Sequence, residues 1–198
     1  MVEMKKPFKT DLLKYYLIDC DTGTPSLGQK IRLWIENNGL HCVAIYRLGQ
    51  FSQRLLNKNK LLGLPFHLLF KILSLFMATV YHSHIYADIG PGFYLGHVGC
   101  VYIGPCDIGD NFTATHNVTI GIGHGRAAEG IPKIGHNVWI GTGSVISGAI
   151  TVGNGVTISN GTMLSRSVPD GCLVGGNPGR VIMREYDNSE LLVLPPQS

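Results

Sequence analysis

Residues 134–165 read IGHNVWIGTGSVISGAITVGNGVTISNGTMLS, and an aliphatic side chain recurs at every sixth position of this stretch. A six-residue period fits neither the 3.6-residue period of an α-helix nor the two-residue alternation of a hairpin meander. It is typical of a three-sided coil in which short strands form flat faces and aliphatic residues stack inside. The small residues that follow would then lie at the corners, where glycine and asparagine tolerate a positive φ. The recurring aliphatic residues are Ile134, Ile140, Ile146, Val152, Ile158 and Leu164.

The same six-residue step extends upstream of this stretch through Ile108, Ala114 and Ile120, and Ile89 and Leu95 form a further pair. The period breaks once, between Ile120 and Ile134, where the sequence is polar and rich in glycine. We therefore predict a loop of about residues 123–132 that is extruded from the coil. Loops held on a rigid scaffold often carry function, so this segment is a candidate part of a site.

The residues before the coil have helical spacing and predict helices at about 8–18, 27–38, 39–57 and 64–80. Such helices would cover the top of the coil, because bare strand edges invite aggregation. The predicted organisation is a helical cap at 1–80, a coil at 81–182 and a C-terminal tail at 183–198. The fold class is thus mainly β, a single-stranded parallel β-helix with an N-terminal α-helical cap.

Composition excludes several function classes. The formal net charge is only +3 and no long basic run occurs, which argues against nucleic-acid binding. The five cysteines show no CxxC spacing and the N-terminus lacks a signal-peptide pattern, so we expect a reduced, cytoplasmic protein.

Residues 61–80 form a long apolar segment, but Pro65, His67 and Lys71 interrupt it. A buried or interface helix is therefore favoured over a membrane span, with weak association to a membrane surface as the alternative.

Several motifs give the chain a family resemblance over about residues 24–182. It resembles the hexapeptide-repeat acyltransferases, whose coil is a left-handed β-helix, and most narrowly the serine O-acetyltransferases. The motifs that carry the resemblance are Gly39-Leu40-His41, Ile45-Tyr46-Arg47-Leu48-Gly49, Ile89-Gly90-Pro91-Gly92, Leu95-Gly96-His97, Val118-Thr119-Ile120-Gly121, Pro132-Lys133-Ile134-Gly135 and Gly175-Gly176-Asn177-Pro178-Gly179-Arg180-Val181-Ile182.

This resemblance implies a reaction and an assembly. Acetyl-CoA would be the co-substrate, an acyl group would move to a hydroxyl, and His97 would be the general base. An imidazole suits that task because it titrates near neutral pH. The resemblance also implies a homotrimer with active sites at subunit boundaries, and leaves open whether two trimers join through their caps.

The chain departs from the serine O-acetyltransferase pattern at positions that would hold a zwitterionic amino acid. His82 and Gly96 stand where the resemblance implies aspartates, Thr24-Pro25 replaces Asp-Pro, and Gly130-Ile131 replaces Arg-His. We therefore expect a different acceptor, a sugar hydroxyl in polysaccharide synthesis, with serine as the alternative.

The remaining candidate residues are assigned mainly by their places on the predicted coil and loop. His82 would orient His97, with Asp88, Asp107 or Glu129 as substitutes, and His116 and His124 would contact the acceptor. Arg180, with Arg166, would meet the phosphates of CoA. Residues expected to receive the pantetheine arm are Gly121, Thr142, Gly143, Asn160 and Gly161.

Two rival functions remain open at the level of the sequence. A metal-dependent lyase or hydratase would need three imidazoles to converge between subunits, and His82, His97 and His116 are the candidates. The acyltransferase motifs favour a site without metal. The second rival is a scaffold without catalytic activity.

Overall fold

The computed structural model describes residues 7–123 and 129–193, beginning with four helices. Helix α2 begins with a capping box, in which Ser26 and Gln29 bond each other's backbone amides. Asn37 and Asn59 cap the next two helices by accepting the amides of Leu40 and Leu62. The helices are α1 (Pro7–Asp19), α2 (Leu27–Glu36), α3 (Asn38–Lys58) and α4 (Lys60–Val80).

Within the described residues, fifteen short strands follow, and they form three sheets that are parallel except for the last pair. The first sheet, face A, has the order β1-β4-β7-β10-β13. Face B has the order β11-β8-β5-β2, and face C the order β15-β14-β12-β9-β6-β3. The strands are β1 (His84–Ile85), β2 (Asp88–Ile89), β3 (Tyr94–Leu95), β4 (Tyr102–Ile103), β5 (Asp107–Ile108), β6 (Thr113–Ala114), β7 (Thr119–Gly121), β8 (Lys133–Ile134), β9 (Trp139–Ile140), β10 (Val145–Ser147), β11 (Thr151–Val152), β12 (Thr157–Ile158), β13 (Met163–Leu164), β14 (Cys172–Gly175) and β15 (Arg180–Arg184).

The six-residue period of the sequence matches the register of the strands in this coil. Each step of six residues moves the chain to the next face, and each third step returns to the same face one rung on. On face B, for example, Ile89, Ile108, Ile134 and Val152 are register partners in successive strands. All six aliphatic residues of the opening stretch are at most 5% exposed. The predicted three-sided parallel coil is therefore confirmed.

The corners explain the glycine-rich composition. Gly109 lies so close to the next rung that an added Cβ would stand 2.8 Å from the backbone of Gly135. Asparagines occupy corners of positive φ, as at Asn111, Asn117 and Asn137. Asparagine adopts that conformation more readily than most residues, so these corners form without glycine.

Helices α1 and α3 cover the first turn of the coil through buried polar contacts. Arg47 binds Asp11 with a 2.7 Å contact and donates to the carbonyls of Ile89 and Gly90. Asp11 in turn accepts the amides of Gly92 and Phe93. The pair thus joins two helices to two consecutive segments of the coil. The carboxylate and the guanidinium are both buried, so each depends on the other for compensation.

A buried lysine adds to this junction. Lys14 donates to Gly92 O, Asn111 Oδ1 and Thr113 Oγ1 at 2.6–3.2 Å. Burial lowers the pKa of Lys14 to about 7, opposed by the charge of Asp11. The lysine side chain therefore links α1 to two rungs of the coil by donating hydrogen bonds to neutral acceptors.

The predicted helices are present, but their ends differ from those expected. The fourth helix begins at Lys60 rather than residue 64, because Asn59 supplies a cap that places Pro65 inside the helix. Strand β15 extends to Arg184, and a short helix α5 (Ser189–Leu192) follows in the tail. Of the predicted loop, residues 124–128 lie outside the described residues, while Gly123 bridges to Glu129 and Gly130.

Candidate active site

A cavity of about 1420 Å³ lies between the helical cap and one corner of the coil. The end of α1, the length of α2 and the start of α3 form its helical wall. His97 and His116, from consecutive rungs, lie on the coil wall. The polar lining includes Asp19, Asp21, Gln29, Arg32, Glu36, Asn37, Asn38 and Asn117.

The cap holds the strand that presents His97. Tyr15 bonds both the amide and the carbonyl of Leu95, at 3.0 and 3.2 Å. A Cβ on Gly39 would clash with the Leu95 carbonyl, so only glycine lets α3 approach this strand. His97 follows two residues later with a φ of 51°, which turns its exposed side chain toward the cavity. The Gly39 motif is thus explained as the contact that fixes the candidate base.

Asp19 is an acidic residue of the cavity that interacts electrostatically with His97, and the sequence motifs did not reveal it. Its carboxylate accepts hydrogen bonds from the Tyr94 hydroxyl and the Asn37 amide. Burial raises the pKa of Asp19, opposed by those two hydrogen bonds and by the charge of His97. Burial and the neighbouring carboxylate also raise the pKa of Tyr94, which keeps its proton available for donation. Since Asn37 also caps α3, one residue links the helix start to the orientation of the carboxylate.

The predicted acceptor contact His116 lies directly beside the candidate base. The ring centroids of His97 and His116 are 6.4 Å apart and the rings are nearly perpendicular. Both side chains are exposed and line the cavity. The structure therefore brings together two of the predicted site histidines.

The corner that carries these histidines continues down the coil as a ridge. The amides of Asn117, Gly143 and Gly161 each donate to a carbonyl in the rung above, those of Gly99, His116 and Thr142 respectively. The predicted CoA residues Thr142, Gly143, Asn160 and Gly161 thus follow His116 on one line. With about 4.8 Å between strands, the ridge from His97 to Gly161 spans roughly 14 Å. A Cβ on Gly161 would meet nothing within 4 Å, so the ridge is open at its lower end.

The other two predicted CoA residues lie off this ridge. Gly121 is at the far end of strand β7, where it pairs with Ser147 on face A. Arg180 is exposed at the start of β15, paired with Gly175 in the last strand of face C. Arg180 is therefore five strands away from β3, which precedes His97.

The structure does not place the expected partners of His97 beside it. His82 is exposed, has a φ of 48° and is not part of the cavity lining. Asp88 and Asp107 are register partners on face B, where they line a separate cavity of about 470 Å³. Glu129 bridges to Gly123 and is exposed. Asp88 and Asp107 occupy another face because the coil turns through a corner between strands, and Asp19 of the cap lines the cavity with His97 instead.

His124 lies outside the described residues. Within residues 7–123 and 129–193, no three His, Cys, Asp or Glu side chains come together in an arrangement that could hold a metal ion. Arg32, the cation of the cavity lining, binds Glu36 at 2.8 Å on the exposed side of α2. The lining therefore presents more carboxylates than unpaired cations in this part of the chain.

Comparison with known proteins agrees with this architecture. Residues 131–166 match the family model "Bacterial transferase hexapeptide (six repeats)". No curated protein sequence matches the chain.

Among solved structures, the serine acetyltransferase of Vibrio cholerae O1 biovar El Tor superposes with a TM-score of 0.73 and 24% identity, over 96% of this chain and 69% of that one. Soybean serine acetyltransferase complexed with serine gives 0.67 and 26%, over 89% and 68%. The Brucella abortus strain S19 serine acetyltransferase in complex with coenzyme A gives 0.65 and 23%, over 90% and 67%.

The chain thus spans about two thirds of the length of each of these structures. The repeat segment, the three-sided coil and the helical cap all agree with one assignment. Residues 131–166 thus match a hexapeptide-repeat transferase model, and the solved structures that the chain resembles over most of its length are serine acetyltransferases.

Proposed function

We propose that this protein is an acetyl-CoA-dependent O-acetyltransferase with His97 as its general base. The observation that carries the proposal is the position of His97 at the upper end of the open ridge, in a polar cavity that Asp19 also lines. This arrangement supplies a proton acceptor, a space for the acceptor molecule and a track for an extended thioester.

The proposed reaction needs one proton acceptor. Neutral His97 takes the proton of the acceptor hydroxyl while its oxygen attacks the thioester carbonyl. The C–O bond forms, the C–S bond breaks, and the proton on His97 passes to the sulfur of the leaving CoA. A tetrahedral oxyanion forms on the way and requires hydrogen-bond donors, for which the ridge offers backbone amides and the neighbouring His116.

Asp19 would act through His97 in this scheme. An ionised carboxylate near the ring favours the imidazolium that exists between the two proton transfers. Tyr94 and Asn37 hold the carboxylate in place from the coil and the cap. Asp19 is therefore proposed as a positioning residue, in the role first expected of His82.

For the acceptor, the comparisons support serine better than a sugar. Two of the solved relatives, from soybean and Neisseria gonorrhoeae, are complexes with serine. Asp19 and Asp21 in the cavity would suit the ammonium group of such an acceptor. Serine is accordingly our first candidate.

A sugar hydroxyl stays as the second candidate because of a specific feature of the lining. A serine carboxylate requires a cation, but Arg32 is already bound to Glu36 in the described residues. A neutral saccharide requires only hydrogen-bonding groups, which Gln29, Asn38 and Asn117 supply.

We further propose that the coil is left-handed and that three chains assemble side by side, as the resemblance of the sequence motifs to hexapeptide-repeat acyltransferases implies. Both imidazoles are exposed in the single chain, which suits a site completed at a subunit boundary. The cytoplasmic location remains a prediction. The association of two trimers remains an open possibility of the same resemblance.

The general-base role is tested with His97→Asn. Asparagine tolerates the positive φ at this corner, so the backbone should be retained while the base is lost. Acetyl-CoA-dependent release of thiol should fall by about 10²–10⁴ in kcat/KM. His67→Asn on α4, outside the cavity, is the matched control and should stay near the wild-type rate. An unchanged rate in His97→Asn would refute the mechanism.

The same assay separates the acceptors and the rival scaffold function. L-serine and a panel of hexoses and N-acetylhexosamines are offered at equal concentration to the wild-type protein. Rapid turnover of serine alone supports the first candidate, and turnover of a sugar alone supports the second. No thiol release with any acceptor, together with no binding of CoA, would favour a scaffold.

A further inference from the structure

Helix α4 has an apolar side that no described residue covers. It packs on α3 through the side that holds Gly63 and Met77, its two buried residues. At Gly63 the helices touch so closely that a Cβ would stand 2.5 Å from the Leu56 backbone. The outward side carries aliphatic residues at steps of three and four, which place them in one stripe. The stripe consists of Leu61, Leu64, Leu68, Ile72 and Leu75, which are 83, 61, 60, 59 and 65% exposed.

The charges near this stripe have one sign. No aspartate or glutamate occurs between Asn37 and Ala87. Arg54, Lys58 and Lys60 are exposed around the tip of the α3–α4 hairpin, and Lys71 is exposed along α4. Exposed cations beside an exposed apolar face are the combination that binds anionic lipid surfaces.

We propose that the α3–α4 hairpin docks on the surface of a bilayer that contains anionic phospholipids. The stripe enters the boundary between headgroups and acyl chains, and the four cations contact the phosphates. This proposal does not depend on the acyl-transfer chemistry, and it assigns a surface that the proposed function leaves unused.

Charge argues against a second copy of the chain as the occupant. Two copies that met through this stripe would bring Lys60 and Lys71 of each chain together, with no acidic residue of either hairpin to pair with them. Like charges across an interface cost free energy, whereas an anionic bilayer compensates them.

Packing argues against a membrane span, although α4 is the one helix of the described chain that is long and apolar enough to cross by length and composition. Lys71 would then lie in the hydrocarbon region. Helix α3, which stays in contact with α4, would have to follow with its exposed Gln53 and Asn57. A helix that lies in the interface keeps these groups in water.

Partition onto vesicles tests the proposal with the full-length protein. We expect it to co-sediment with vesicles of phosphatidylglycerol and phosphatidylcholine, and far less with phosphatidylcholine alone. Arg54→Gln/Lys58→Gln/Lys60→Gln should weaken this binding about 100-fold at low salt, since each cation contributes about fivefold. Leu68→Gln/Ile72→Gln should weaken it at least about tenfold at low and high salt.

The matched control removes two exposed apolar side chains elsewhere. Ile182→Gln/Met183→Gln on β15, whose residues are 63 and 51% exposed, should bind vesicles as the wild type does. Absence of wild-type partition, or equal binding by all variants, would overturn the proposal. So would resistance of the bound protein to alkaline carbonate, which would indicate a span. A fall in sedimentation mass for Leu68→Gln/Ile72→Gln without vesicle binding would identify a subunit interface instead.

Discussion

At the scale of single residues, the site combines a motif residue with one that no motif marks. His97 lies in a segment whose spacing resembles a known family, so the sequence was sufficient to propose it as the base. Asp19 is 78 positions earlier, at the end of α1, and lines the same cavity as His97 only because α1 packs across the first turn of the coil. A single sequence carries no signal for such a long-range meeting, whereas a local pattern such as Leu95-Gly96-His97 is visible in it.

Asp19→Asn tests whether this carboxylate acts through the imidazole. The amide keeps the size of the side chain but removes the charge that favours the imidazolium, so kcat/KM should fall about 10–100-fold, toward the lower end of a general-base effect. Because burial raises the pKa of Asp19, protonation of this carboxylate adds to the acidic limb of the kcat/KM profile, and the limb should move to lower pH when the carboxylate is removed. Steady-state thiol release between pH 5 and 9 measures both effects.

Asp21→Asn is the matched control, since Asp21 lines the same cavity without a described contact to Tyr94 or Asn37. It should leave the position of the acidic limb unchanged, whatever its effect on the acceptor. A fall in rate for Asp19→Asn with no movement of the limb would mean that Asp19 serves only to hold the cap in place.

At the scale of elements, the coil was predictable and the helix ends were not. The six-residue period follows directly from the strand register, because one aliphatic residue must point inward on each face of the coil. The start of α4 depended instead on one side-chain cap at Asn59 and on close contact at Gly63, neither of which has a period. The corners of positive φ were predictable where asparagine or glycine occupies them. The positive φ of His97 was not, because histidine does not indicate that conformation.

Gly109→Ala tests how tightly the corners are stacked. The new Cβ would stand 2.8 Å from the carbonyl carbon and oxygen of Gly135 and from the His136 amide, and backbone atoms in a hydrogen-bonded rung cannot move aside cheaply. We expect a loss of about 1–3 kcal/mol, seen as a fall in Tm of roughly 2–4 °C for each kcal/mol. Gly99→Ala is the control, because its Cβ would meet nothing within 4 Å. Equal Tm values for the two variants would contradict the stacking argument.

At the scale of the whole molecule, the cap and the coil share one apolar cluster and are also joined by buried polar groups. Asp11 binds Arg47 and two coil amides, while Arg47 binds two coil carbonyls. The candidate cavity lies between these same two parts, so its shape depends on their junction. The sequence predicted a cap over the coil, but it could not reveal this junction, since Asp11 and Arg47 look like ordinary surface charges in a helical pattern.

Asp11→Asn should therefore weaken the coupling of cap and coil as well as stability. The substitution leaves Arg47 as a buried charge without its partner, which typically costs about 3–5 kcal/mol.

The chain has two tryptophans, Trp34 in α2 of the cap and Trp139 in β9 of the coil, so Trp34→Phe and Trp139→Phe backgrounds report the two parts separately. In urea, fluorescence transitions of the two otherwise native backgrounds should coincide, because the intact junction makes unfolding cooperative. In Asp11→Asn the Trp34 transition should move to lower urea than the Trp139 transition, and thiol release should be lost along with it. Coincident transitions in the variant would show that apolar contacts around Phe93 and Tyr46 are sufficient to hold the cap on the coil.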